Sequence, residues 1–180
     1  NLIVRADVAR ELGGFDVRYW PGEDTILCLG IVHTLGKRII YDPRVVVTHH
    51  RRPLFGPHLR QISRYACHRG FFVRKFPQTS LRLSYMIPSL FVIGVVAGFP
   101  LAFLHPLLRF LYAGVLVIYL LLTALFSLSI RRPRVWLLTW AGIVTTHFAY
   151  GIGFLRGICS KDMVGAVRPF DHHSGKACAK

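Results

Sequence analysis

Glu23 and Asp24 stand side by side after a Pro21-Gly22 turn, in a chain with only eight acidic residues. A carboxylate placed beside a hydroxyl takes its proton as the oxygen attacks, so the pair is a candidate general base. Between residues 43 and 161 there is no acid, whereas fourteen Lys or Arg occupy positions 43 to 160. A carboxylate pair followed by a basic stretch fits a site for an anionic substrate. The plainer reading is that both acids sit in the first turn of a helix, where the helix dipole favours negative charge. Cys28, Cys67, Cys159 and Cys178 have no metal-type spacing and read as free thiols.

The elements that must position these residues follow from punctuation and periodicity. Ala6 to Leu12 reads as a short helix stopped by Gly13-Gly14, with Phe15 anchoring the turn in a core. Residues 19–22 form a loop. A second helix is expected from Glu23 to Leu35, with Ile26, Leu27, Gly30, Ile31 and Leu35 on one face and Gly36 at its end. Leu2-Ile3-Val4, Arg38–Tyr41 and Val45–Val47 read as strands.

From residue 57 to 82 the chain is basic and aromatic by turns. Arg60, Arg64, Arg69, Arg74 and Lys75 alternate with Ile62, Tyr65, Phe71, Phe72 and Phe76, as in a helix lying at a membrane interface near anionic lipids. Nucleic-acid binding is the other use of such a run, and the apolar segments that follow argue against it. Those segments, about 83–104, 110–130 and 135–155, each have the roughly 20 residues needed to cross a bilayer. The cations of the second connection, Arg131, Arg132 and Arg134, place that link and the soluble part in the cytoplasm. Three full spans then put the basic polar tail, 156–180, on the other side against the same rule, unless the third segment re-enters. Formal charge is +15 and 53% of residues are hydrophobic. The apolar residues concentrate in the second half, and residues 1–82 read as soluble protein that completes a domain begun upstream.

In order, Gly13-Gly14-Phe15-Asp16, Gly22-Glu23-Asp24, Gly36-Lys37-Arg38-Ile39, Tyr41-Asp42-Pro43 and Val47-Thr48-His49 resemble the acceptor half of glycosyltransferase family 2. Gln61-x-x-Arg64-Tyr65 is similar to the Gln-x-x-Arg-Trp motif of its membrane-embedded members, with Tyr in place of Trp. Residues 65–70 and the ending His147-x-x-Tyr150-Gly151-x-Gly153-Phe154 resemble bacterial exopolysaccharide and cell-surface glycan transferases.

The resemblance implies an α/β fold, with residues 1–56 as the C-terminal half of a GT-A nucleotide-diphospho-sugar transferase domain, followed by a helical transmembrane region. It implies a bacterial inner-membrane enzyme moving a sugar, with inversion, from a nucleotide-sugar donor to a lipid-linked or cell-surface glycan acceptor. A polyprenyl-phosphate sugar synthase and a processive polysaccharide synthase are variants of it; a non-enzymatic basic membrane adaptor is the rival. In the transferase, Asp24 is the base and Glu23 its neighbour toward the acceptor. Gln61, Arg64 and Tyr65 bind the substrate, Arg64 through the diphosphate, and Trp20 stacks on a sugar. A divalent metal, Mn²⁺ or Mg²⁺, is held mostly by an upstream half that carries the donor pocket, with His49 as a possible added ligand. The fragment alone is then expected not to turn over. The alternatives are that His49 is an ordinary polar residue at a strand end, that Trp20 only anchors its loop or core, and that Gln61, Arg64 and Tyr65 form the wet face of an interfacial helix.

Overall fold

The computed structural model describes residues 2–50 and 52–162. Every regular element among them is helical. This corrects the α/β expectation. The segments read as strands are extended but form no ladder, and Ile40, Tyr41 and Val46 are about four-fifths exposed or more. The β-branched residues set an extended backbone, but a strand is stable only when a neighbour takes its N–H and C=O groups. No such neighbour exists among the described residues. The half GT-A domain is therefore not what this chain forms.

Helix α1 spans Ala6–Glu11 and α2 spans Glu23–Leu29, continued by a wider π turn over Gly30–Thr34. They share a small core of Val8, Leu27 and Ile31, flanked by Val4, Leu12 and Leu35. The chain leaves α1 through Gly13 and Gly14, at φ 76° and 81°, and the Gly14 N–H donates to the Ala9 carbonyl at 2.8 Å. Leftward turns of this kind strain any residue with a Cβ. Phe15, expected in the core, is instead more than half exposed.

The basic segment forms α3, Gly56–Lys75, and a single turn α4, Pro77–Ser80. Helix α5 spans Leu83–Leu101, α6 Pro106–Phe126 and α7 Pro133–Cys159. All three are long and apolar enough to cross a membrane. Helix α7 is continuous over 27 residues, about 40 Å at 1.5 Å per residue, so the third apolar segment does not turn back. Arg156 belongs to this helix and not to a polar tail; residues 163–180, with His172, His173 and Cys178, lie outside the described residues.

Helix α3 is not free on a surface. It runs parallel to α7, with Leu54 against Gly142, His58 bonded to Thr146, Ser63 to the Ala149 carbonyl and Arg74 to the Ile158 carbonyl. Glycine makes this contact possible. A Cβ at Gly70 would collide with the Phe154 carbonyl, and one at Gly157 with the Cys67 carbonyl. A Cβ at Gly153 would crowd the Ser63 carbonyl and Ala66. Small residues at such spacing let two backbones approach, which is how helices associate where lipid supplies no hydrophobic drive. Helix α5 crosses α7 at Gly151, where Ser89 donates to the Gly151 carbonyl. Helix α6 is held more lightly, by Tyr119 to His147 at 2.9 Å and by the Trp140 indole N–H to Thr123 at 3.0 Å.

Candidate active site

The loop before α2 is fixed to α3 by aromatic packing. Asp16 caps the short turn Val17–Tyr19 through the Arg18 N–H, and its carboxylate also takes the Arg18 guanidinium at 2.7 Å, which holds Asp16 below the usual carboxylate range. Tyr19 then sets its ring edge-on to Phe72 at 5.8 Å and Phe76 at 5.4 Å, with the Lys75 ammonium 5.0 Å from its centre. Edge-to-face pairs of this kind orient as well as bury. The consequence is that Trp20, Pro21, Glu23 and Asp24 face the middle of α3.

Between them lies a cleft of about 670 Å³. Trp20, Glu23, Asp24, Gln61, Arg64 and Tyr65 all line it. Six of the seven residues singled out in the sequence thus meet in one place, although 37 positions separate Asp24 from Gln61. On α3, Gln61, Arg64 and Tyr65 share a face because helical residues three and four apart are neighbours. The Gln61 amide donates to the Tyr65 hydroxyl at 3.2 Å, and the Arg64 guanidinium lies 5.9 Å from the Trp20 ring centre. Asp24 is exposed, with one carboxylate oxygen accepting from the Thr25 N–H at 2.7 Å and the Thr25 hydroxyl at 3.3 Å. Glu23 is half-buried, and its Oε2 has no partner.

The seventh residue is elsewhere. His49 is exposed on the extended segment and does not line the cleft. Among the described residues no three His, Cys, Asp or Glu side chains come together to hold a metal ion. The described residues alone therefore form no complete cation site. None of the described cysteines forms a disulfide. Burial raises the Cys28 thiol, with Asp24 adding to the effect, and burial raises Cys67 against an opposing pull from Arg156. Both are poor thiolates and poor metal ligands.

Four lining residues carry chemistry that the sequence reading did not assign to the site. Arg52 and Arg69 join Arg64, so three guanidiniums face two carboxylates. Arg69 also lies over the Tyr85 ring at 4.1 Å, at the head of α5. Tyr150 enters from α7. His68 is only 4% exposed; it packs against Gly22 and sits 3.9 Å from the Phe72 ring. Burial is the main cause that lowers His68 to about 4, helped by Arg69 and opposed by Asp24. The imidazole is thus neutral at physiological pH. Its position was legible: residues 61, 64, 65 and 68 follow one helical face. The requirement for glycine at 22, which leaves room for the ring, was not.

No protein-family model, curated protein or solved structure matches this chain.

Proposed function

We propose that the protein is a membrane-bound inverting glycosyltransferase, using a nucleotide-sugar donor and a lipid-linked or cell-surface glycan acceptor. The observation that carries this reading is the single cleft in which Glu23 and Asp24 face Gln61, Arg64 and Tyr65. Asp24 takes the proton of the acceptor hydroxyl as that oxygen forms a bond to the anomeric carbon. The bond from that carbon to the donor phosphate breaks, and the nucleoside diphosphate leaves with the electron pair. Attack from the face opposite the leaving group inverts the carbon in one step. Arg64 and Arg52 hold the leaving diphosphate, for which a planar two-pronged cation is well suited. Trp20 and Tyr65, both 43% exposed, offer ring faces to a sugar.

The membrane is the bacterial inner membrane, with the cleft on the cytoplasmic side where nucleotide sugars are made. The cations of the α6–α7 connection support that orientation. A phosphate acceptor, as in a polyprenyl-phosphate sugar synthase, is favoured by one feature: Arg69 stands at the head of the first span, beside Tyr85. A phosphate hardly needs a base, so that variant predicts a mild effect of Asp24→Asn.

The test supplies membranes containing the full-length protein, any upstream half included, with Mn²⁺ or Mg²⁺ and a panel of nucleotide sugars, and follows nucleoside diphosphate release. Release above that of control membranes with at least one donor is expected. Equal release with every donor would contradict the proposal and favour a non-catalytic membrane adaptor.

A further inference from the structure

Among the described residues three buried side-chain atoms have no hydrogen-bond partner: Glu23 Oε2, His68 Nε2 and Tyr150 OH. All three residues line the same cleft, yet they come from α2, α3 and α7. Buried polar atoms are nearly always paired, and leaving one unpaired costs stability. Three at one place mark a surface shaped for something else. His68 is the most constrained of them, wedged between Gly22 and Phe72; any Cβ at position 22 would occupy the space of its Nε2.

The chemistry of the three atoms selects the ligand. A carboxylate oxygen accepts only, a neutral imidazole nitrogen accepts or donates with its tautomer, and a phenol does both. A group bearing several hydroxyls satisfies all three at once. An inorganic anion does not, because Glu23 would repel it, and an apolar group would leave every atom unpaired. We propose that Glu23, His68 and Tyr150 form a pyranose subsite at the floor of the cleft, binding the hydroxyls of one sugar ring, with Trp20 and Tyr65 at its mouth. It deepens the glycosyltransferase reading and rests on it for its role in turnover. It also makes a membrane-spanning helix part of the sugar site.

The test is saturation-transfer NMR on the detergent-purified protein. The probes are the methyl pyranosides of glucose, galactose and mannose, with inorganic phosphate as competitor. Transfer from at least one pyranoside is expected, weakened about five- to tenfold in Tyr150→Phe and His68→Gln and undisturbed by phosphate. Tyr150→Phe removes only an unpartnered hydroxyl, so it should melt no lower than wild type while binding sugar less well, which a merely structural tyrosine would not do. No transfer from any pyranoside, equal transfer in folded Tyr150→Phe, or displacement by phosphate would each overturn the subsite. The two proposals fail separately. Sugar binding without nucleoside diphosphate release would remove the transferase and leave the subsite, and release with unaltered sugar binding in the variants would do the reverse.

Discussion

At the scale of single residues, the cleft depends on a few side chains whose neighbours leave them little choice. His68 gives a pH dependence with a definite sign. Its folded value, about 4, lies below the 6.5 of an unperturbed histidine. Between those values the unfolded chain binds the proton and the folded chain does not, so stability falls as pH drops from 6.5 toward 4. At about 1.4 kcal/mol per unit the effect reaches roughly 3 kcal/mol. The groups facing His68 are Asp24 from α2, which opposes the shift, and Arg69 on its own helix, which adds to it. Asp7, Asp16 and Asp42, each held low by a neighbouring arginine, lose their contribution only below that window. Thermal melts of the detergent-purified protein from pH 7 to 4.5 should therefore slope more steeply in wild type than in His68→Gln. Parallel slopes would mean that His68 is not kept neutral by the fold. Much of this site was readable in advance. The adjacent acids and the Gln61, Arg64 and Tyr65 spacing are local patterns, and they do meet. His49 lies on an extended segment away from the cleft, because the strand expected to carry it toward the site does not form.

At the scale of elements, helices were legible and strands were not, for a physical reason. A helix satisfies its backbone from within, so Gly13, Gly14 and Gly36 mark its limits in the sequence itself. A strand needs a partner, and the Val45–Val47 run cannot say whether one is present. The basic helix was legible as a helix but not as half of a pair, because Gly70, Gly153 and Gly157 show their purpose only when α3 lies on α7. This packing predicts that Gly157→Leu forces the two helices apart, at about 3 kcal/mol or more for overpacking against backbone. Cys67, 4% exposed in the native contact, reports the event. Maleimide should label Cys159, which is exposed, in both proteins, and Cys67 only in the variant. Protection of Cys67 in Gly157→Leu would contradict the contact.

At the scale of the whole molecule, three membrane-compatible helices accompany a cleft built on the side of one of them. Tyr150 on α7 and the carboxylate pair on α2 both line that cleft. Under the proposed function, the charged end of the substrate meets the guanidiniums and its sugar ring the hydroxyl partners. If Arg64 and Arg52 hold the diphosphate, Arg64→Ala should weaken nucleoside diphosphate binding about tenfold or more, as loss of a charge-assisted contact does. Equilibrium binding of the free diphosphate to the purified protein checks this, with unchanged affinity as the contrary result. The order of the apolar segments disclosed this membrane-compatible arrangement early. The sharing of one cleft between α2, α3 and α7 did not appear until the glycines brought the helices together.

The measurement that bears most directly on the central claim compares wild type with Asp24→Asn in the same membranes, each with the donor that gives release. The substitution keeps size and removes the base, so nucleoside diphosphate release should fall by about 10²-fold or more while the folded protein remains at wild-type level. Release at the wild-type rate from folded Asp24→Asn would show that the carboxylate pair does not drive the reaction by taking a proton at Asp24.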